Sequence, residues 1–131
     1  MATVTTNENW VENLLTWADA HDIEIPQNEE ELLNLTVLDL WGSELTELPK
    51  EIGTLTNLTW LALNGNQLTK LPIEIGNLTQ LKWLYLDNNQ LNELPIEIGN
   101  LTNLTVLNVE YNKLTELPIE IGNLTHLRSL Q

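Results

Sequence analysis

Residues 58–80, Leu-Thr-Trp-Leu-Ala-Leu-Asn-Gly-Asn-Gln-Leu-Thr-Lys-Leu-Pro-Ile-Glu-Ile-Gly-Asn-Leu-Thr-Gln, are the unit from which most of this chain is built. The unit recurs every 23 residues, and its copies begin at Leu35, Leu58, Leu81, Leu104 and Leu127. The same period aligns one proline and one glycine per copy, namely Pro49, Pro72, Pro95 and Pro118 with Gly53, Gly76, Gly99 and Gly122. Four full copies and the start of a fifth therefore cover residues 35–131.

Each copy predicts one short strand followed by one tight turn. The second and third leucines of Leu-x-x-Leu-x-Leu point to the same face of a strand because side chains alternate with a period of two. Pro72 restricts φ where a helical turn would start, and Gly76 predicts the exit from that turn. Since one copy cannot bury its apolar face alone, the copies are expected to stack around a shared core of leucine and isoleucine.

The repeated pattern LxxLxLxxNxLTxLPxEIGNLTx resembles the leucine-rich repeat. Its LPxEIG form is similar to the short class found in Ras-suppressor and Scribble-like proteins and in repeat proteins of bacterial pathogens. The resemblance implies an α/β solenoid, a right-handed superhelix with a parallel concave β-sheet, short helical or 3₁₀ turns on the convex side and an N-terminal capping helix. It also implies a hydrogen-bonded ladder of Asn66, Asn89 and Asn112, in which Ser43 replaces the first asparagine.

The first quarter of the chain departs from the repeat. Residues 7–20 predict an amphipathic helix with Trp10, Leu14 and Trp17 on one stripe, capped by a polar residue among positions 5–7. Residues 25–34 read as a degenerate half-repeat in which three glutamates replace Ile-Gly-Asn. We therefore expect a single domain with two parts: a helical cap and half-repeat over residues 1–34, and the repeats over residues 35–131.

Composition restricts the classes of partner and the compartment. Nineteen acidic residues against five basic ones give a net charge of −14, which repels both nucleic acid and anionic membrane surfaces. The chain has no cysteine, no basic and apolar leader at its N-terminus and no run of about 18 apolar residues. We expect a cytoplasmic protein, or alternatively an effector secreted without a conventional signal peptide.

The sequence predicts neither an enzyme nor a cofactor or metal site. His21 and His126 are far apart in the repeat register, and neither is near a serine nucleophile motif. One glutamate per copy forms a column along the return side, which is predicted to be a solvated ridge: Glu51, Glu74, Glu97 and Glu120. An open ridge of this kind does not separate the pKa values of two carboxyl groups as acid–base catalysis requires.

The positions that the repeat leaves free carry the functional prediction. The third, fifth, seventh and eighth residues of each copy face away from the core, and all five aromatic residues outside the first helix occupy them. The predicted binding residues are Trp41, Trp60, Trp83, Tyr85 and Tyr111, with the acids Asp39, Asp87 and Glu110 around them. Exposed aromatic residues dominate interface hot spots, and the acids favour a basic rim on the partner.

The first hypothesis is therefore a non-catalytic module that binds a protein or peptide on its aromatic concave face. One alternative is a carbohydrate-binding module that uses the same Trp and Tyr platform, and another is a structural solenoid segment that associates with itself. A homodimer is also predicted through the strand edge of the last, uncapped copy, at Leu127, Ser129, Leu130 and Gln131. On the return side, Ile73, Ile96 and Ile119 form a further column, in which Lys50 of the first copy indicates exposure.

Overall fold

The computed structural model describes residues 9–131 as two short helices followed by a five-stranded sheet. The helices are α1 (Trp10–Ala20) and α2 (Glu29–Leu33), and the strands are β1 (Val37–Asp39), β2 (Trp60–Ala62), β3 (Trp83–Tyr85), β4 (Val106–Asn108) and β5 (Ser129–Leu130). All strand pairs are parallel, in the order β1-β2-β3-β4-β5, and each strand is shifted by one 23-residue copy from its neighbour. The predicted open solenoid with a parallel sheet is confirmed.

A single 3₁₀ turn forms the return side of each copy, as the proline and glycine spacing predicts. The four turns are Lys50–Thr54, Ile73–Asn77, Ile96–Asn100 and Ile119–Asn123. Pro72 directly precedes its turn with φ −68° and ψ 149°, which is extended backbone that cannot continue a helix backwards. The chain therefore crosses from strand to turn and back within 23 residues.

Leucines and isoleucines from successive copies fill the space between the sheet and the turns. Leu61, Leu84 and Ile75 are fully buried, and they belong to one continuous cluster that extends from Trp10 to Leu124. Because the cluster has no break, the copies share a core that none of them could enclose alone.

The asparagine ladder is present and links each copy to the one before it. The Nδ2 of Asn89 donates to the carbonyl oxygens of Leu63 and Leu86 at 2.9 and 3.0 Å, and its Oδ1 accepts from the Leu68 N–H at 3.0 Å. Asn66 and Asn112 make equivalent bonds. Buried backbone groups that the irregular loop leaves without a ladder partner are satisfied in this way.

The first loop differs from the others because it has Ser43 in place of an asparagine. There the Oδ1 of Asn66 accepts two backbone N–H groups, from Ser43 at 3.0 Å and from Leu45 at 2.9 Å. Glu44 takes a positive φ of 58°, which its counterparts in the later copies do not. Loss of the first ladder asparagine is therefore accommodated by a local change of backbone conformation.

The glycine of each turn has a different role from the predicted one. Gly53, Gly76 and Gly99 do not have a positive φ, so they are not needed as a flexible exit from the turn. A Cβ at Gly53 would lie 2.6 Å from the carbonyl oxygen of Glu74 and 2.8 Å from its Cβ. These glycines therefore allow the following turn to approach closely. The glutamates that approach them are half-buried rather than fully solvated.

Helix α1 lies against the first 3₁₀ turn, Lys50–Thr54, and its Asn13 amide donates to Glu51 at 3.2 Å. The buried stripe consists of Trp10, Leu14 and Ala18, whereas Trp17 is only half-buried, so the predicted stripe was wrong by one position. The predicted start at residue 7 and its cap at positions 5–7 lie outside the described residues. The assignment of residues 1–34 as a cap with a half-repeat stays a prediction.

Candidate functional site

The strand register arranges the free positions of the repeats as a grid on the concave face, which we define as the side of the sheet opposite the leucine core. Trp60 of β2 is in register with Val37 on one side and with Trp83 on the other. Ala62 is likewise in register with Asp39 and Tyr85. Aromatic side chains from neighbouring copies thus stand side by side on a surface that the core does not use.

Six residues of this grid line an open depression of about 270 Å³, which we call the aromatic hollow. Its lining residues are Asp39, Trp41, Trp60, Ala62, Asn64 and Tyr85. Ala62 is only 3% exposed, whereas Trp41 beside it is 67% exposed. Since alanine ends at Cβ, the longer side chains around Ala62 rise above it and form the walls.

Two of the aromatic side chains that line the aromatic hollow, Trp60 and Tyr85, are in contact with each other. The rings of Trp60 and Tyr85 have centroids 5.6 Å apart and planes inclined by 54°, which is a favourable tilted geometry for an aromatic pair. The contact runs diagonally across the sheet, because Trp60 is in register with Trp83 while Tyr85 is in register with Ala62. The third aromatic wall, Trp41, lies over Gly65, where a Cβ would be 3.2 Å from the indole Nε1.

Two of the acids near the aromatic residues accept hydrogen bonds from neighbouring groups, one from the backbone and one from a side chain. The Oδ1 of Asp39 accepts the Trp41 N–H at 3.1 Å, and the Oδ2 of Asp87 accepts the side-chain amide of Asn88 at 3.2 Å. Asp39 lines the aromatic hollow, whereas Asp87 and Glu110 do not. Only one of the three predicted steering carboxylates therefore lines the aromatic hollow.

The remaining predicted aromatic residues lie apart from the aromatic hollow. Trp83 is half-buried on the concave face, between Trp60 and Val106 in the register. Tyr111 is 75% exposed and lines another depression with Leu114, Leu117 and Gln131. The structure thus groups Trp41, Trp60, Tyr85 and Asp39, and it adds Asn64, which was not among the predicted site residues. Asn64 is the seventh residue of its copy, as Trp41 is of the copy before, and this shared position was the signal that could have identified it.

The residues predicted as a dimer edge contribute to the last strand and its surroundings. Leu127 is half-buried against the core, and Ser129 and Leu130 form β5 in register with Val106 and Leu107. The backbone N–H of Gln131 donates to the Leu107 carbonyl oxygen at 3.0 Å. The homodimer stays a prediction.

Other surface features offer less to a ligand. Four larger depressions on the described residues, of about 330 to 640 Å³, each contain at most one aromatic ring. Across residues 9–131, no group of three or more His, Cys, Asp or Glu side chains could hold a metal ion. None of the helices within this range has the length and apolar character needed to cross a membrane.

The two histidines have structural contacts. The Nδ1 of His21 is bonded to the Trp17 carbonyl oxygen at 2.8 Å, and the Nδ1 of His126 to the Thr102 carbonyl oxygen at 2.9 Å. Asn103 makes the equivalent contact one copy earlier, where its amide donates to the Thr79 carbonyl oxygen at 2.9 Å. His126 therefore occupies a position that ties one copy to the previous one.

The repeats, the parallel sheet and the asparagine ladder define a leucine-rich repeat solenoid, and comparison with known families agrees. A family model described as "Leucine rich repeat" matches residues 34–91, and one described as "Leucine-rich repeat region" matches residues 73–131. Together they cover all of the predicted repeats. The chain belongs to the leucine-rich repeat family, whose fold is in general an interaction fold rather than an enzyme fold.

Solved structures show the same fold. A leucine-rich repeat protein of Leptospira interrogans is 35% identical over 98% of this chain, with a TM-score of 0.71. The ectodomain of the Arabidopsis thaliana membrane receptor kinase GASSHO1/SCHENGEN3, in complex with Casparian strip integrity factor 2, is 42% identical over 65% of this chain, with a TM-score of 0.61. The BIR2 ectodomain from Arabidopsis thaliana is 28% identical over 70%, with a TM-score of 0.63.

This chain is much shorter than those three proteins. It spans 40% of the Leptospira chain, 11% of the GASSHO1/SCHENGEN3 chain and 50% of the BIR2 chain. A search of curated protein sequences finds no significant match. The similarity therefore concerns the repeat architecture and not the activity of a whole relative.

Proposed function

We propose that this chain is a non-catalytic module that binds a protein or peptide on its concave face. The observation that carries the proposal is the aromatic hollow. It combines three aromatic walls and an acid at positions where the repeat requires no particular residue. Each such aromatic side chain can bury on the order of 150–250 Å² against a partner, and aromatic residues are enriched among interface hot spots.

The similarity to GASSHO1/SCHENGEN3 supports a partner of this kind, because that ectodomain is seen in complex with another factor. Charge supports it as well. A chain with net charge −14 attracts a partner that has basic residues around its contact surface, and electrostatic complementarity of this kind raises the association rate.

The test is affinity capture with three immobilised forms of the chain. The wild type is compared with the double variant Trp60→Ala, Trp83→Ala, which removes aromatic surface from the concave face. The matched control is Ile73→Ala, Ile96→Ala, because these isoleucines are 59% and 58% exposed on the return side. We expect the wild type and the isoleucine variant to retain the same proteins, and the tryptophan variant to lose them.

A single substitution then measures the contribution of one wall. Trp60→Ala is expected to weaken binding of a captured partner by about 2 kcal/mol or more, which is the range of a hot-spot residue. Calorimetry with the purified partner gives this value, and circular dichroism verifies that the fold is kept. If the tryptophan variant retains the same proteins as the wild type, the concave-face proposal is wrong.

The carbohydrate alternative has a separate readout. Sugar rings also stack on tryptophan faces, and Asp39 and Asn64 could accept bonds from their hydroxyl groups. A glycan array probed with the wild type and with Trp60→Ala would give tryptophan-dependent signals in that case. A structural, self-associating segment would instead show a concentration-dependent mass in sedimentation and retain no partner.

A further inference from the structure

The aromatic hollow has a chemical character that goes beyond an apolar platform. Its floor is Ala62, and its lining contains three π-systems, one carboxylate and one amide. No lysine or arginine is among these lining residues. The faces of Trp and Tyr rings attract cations, so the walls and the acid favour the same sign of charge in a ligand.

Two of the three aromatic walls contact each other without a ligand. Trp60 and Tyr85 hold each other through their ring contact at 5.6 Å. Trp41 fits over Gly65, where the missing side chain leaves room for the indole. A larger residue at position 65 would displace Trp41. A binding group that meets preformed walls loses less free energy to ordering them.

The backbone N–H two residues further along the chain orients the Asp39 carboxylate. Its Oδ1 accepts the Trp41 N–H at 3.1 Å, which leaves Oδ2 to accept a donor from a ligand. An apolar side chain entering the aromatic hollow would cover this carboxylate without replacing its bonds to water, which is unfavourable. A cationic donor would compensate for the lost hydration.

We propose that the aromatic hollow binds the guanidinium group of an arginine presented by the partner. Guanidinium is planar, stacks on aromatic faces and is more weakly hydrated than an ammonium group, so it suits aromatic walls better than lysine does. Its several N–H donors can reach Asp39 and Asn64 while its plane rests on a ring. The net charge of −14 adds a general attraction for cations. This inference rests on the proposed function, because it names the anchor of the partner.

The test uses small probes and needs no partner. The wild-type chain is titrated with N-acetyl-arginine amide and with N-acetyl-citrulline amide, which has nearly the same shape without the charge. The tryptophan indole N–H signals are followed by NMR at constant ionic strength, balanced with NaCl. We expect saturable shifts of the Trp41 and Trp60 signals with the arginine probe, and binding of the citrulline probe weaker by about tenfold or more. Trp17 of helix α1, outside the aromatic hollow, is the internal control.

Two variants separate charge from shape. Asp39→Asn keeps an oxygen that can accept the Trp41 N–H and removes the charge, so it should weaken arginine binding several-fold and leave citrulline binding unchanged. Ala62→Leu fills the floor and should abolish the binding of both probes. Ile96→Ala, on the return side, is the control and should leave both affinities unchanged, whereas Trp60→Leu should weaken arginine binding.

Specific outcomes would overturn the proposal. Equal affinity for the arginine and citrulline probes would show that charge is not recognised. Tighter binding of N-acetyl-lysine amide than of the arginine probe would exclude a guanidinium preference. An Asp39→Asn variant with unchanged arginine affinity would contradict the role of the carboxylate.

The two proposals can fail separately. If the arginine probe does not bind but the Trp60→Ala, Trp83→Ala variant loses its captured proteins, the concave face binds a partner without an arginine anchor. If the arginine probe binds but the tryptophan variant retains the same proteins, the partner uses another surface, and the aromatic hollow is a cation site outside that interface.

Discussion

A Cβ atom placed on Gly76 would lie 2.7 Å from the Cβ of Glu97 and 2.8 Å from its carbonyl oxygen. The two residues belong to successive turns on the return side, Ile73–Asn77 and Ile96–Asn100. The spacing between these turns is therefore limited by the absence of a side chain at position 76. Gly53 stands in the same relation to Glu74, and Gly99 to Glu120.

The close approach predicts that Gly76→Ala destabilises the fold. The added methyl group would meet backbone and Cβ atoms that cannot rotate away, so we expect the free energy of unfolding to fall by about 1–3 kcal/mol. Urea denaturation followed by circular dichroism measures the change. The matched control is Gly122→Ala, where nothing lies within 4 Å of the added Cβ.

At Gly122 the φ is not positive, so alanine is compatible with the backbone. Alanine also restricts the unfolded chain, and we expect no change or a gain of about 0.4–1 kcal/mol. Equal losses at positions 76 and 122 would mean that helical propensity or chain entropy, rather than contact between turns, explains the glycines.

The asparagine ladder predicts a large effect of Asn89→Ala. This change leaves the buried Leu68 N–H without its side-chain acceptor. It also removes one of the two side-chain donors to each of the Leu63 and Leu86 carbonyl oxygens, which keep their bonds from Asn66 and Asn112. An unsatisfied buried group costs about 1–3 kcal/mol, so a loss of about 2 kcal/mol or more is expected in denaturation experiments. Exposed Asn92→Ala is the control and should change stability by less than about 0.5 kcal/mol. Similar losses in both variants would contradict a special role of the ladder.

Tyr111 has a φ of 57°, in the left-handed region that is unfavourable for a bulky residue. The same place in the earlier copies holds Gly42, Gly65 and Asn88, also with positive φ. We expect Tyr111→Asn to stabilise the chain by about 1 kcal/mol, since asparagine tolerates this conformation better. Thermal unfolding of the variant and of the wild type tests this. A lower midpoint temperature in the variant would show that the exposed ring makes contacts that outweigh the strain.

Trp17 has a buried indole Nε1 without a hydrogen-bond partner among the described residues. Its ring contacts that of His21 at a centroid distance of 5.4 Å. We expect Trp17→Phe to change the free energy of unfolding by less than about 1 kcal/mol, because the lost ring contacts are offset by removal of an unsatisfied N–H. Trp17→Ala should cost about 2 kcal/mol or more through lost packing. A large loss in the phenylalanine variant would indicate that the N–H has a partner in solution.

Much of the fold was predictable because a 23-residue repeat limits the architecture strongly. The Leu-x-x-Leu-x-Leu pattern located β1 to β5, and Pro72 and its counterparts located the turns. The role of Gly76 was not predictable, since its partner Glu97 is far away in sequence and the distance between turns depends on stacking. The helix stripe was misplaced because Ala18 and Trp17 are neighbours, and hydrophobicity alone favours the larger residue for burial.

The candidate site, like the fold, was only partly predictable from the sequence. Alignment of the copies was enough to place Trp60 beside Trp83 and Ala62 beside Tyr85. It could not show that Trp60 contacts the ring of Tyr85 diagonally, nor that Asn64 joins the walls, because side-chain rotamers and the space above Ala62 decide both. It also treated Asp39, Asp87 and Glu110 alike, although only Asp39 lines the aromatic hollow.

The sequence by itself determined the repeat, its register and the side of the sheet on which each residue lies, because a strand period of two and a fixed repeat length leave no freedom in these. The tertiary structure decided which outward side chains meet. Close stacking of the turns, the position of Trp41 over Gly65 and the space above Ala62 arise only when the copies are stacked, and the last two arrange a row of aromatic residues around an open depression.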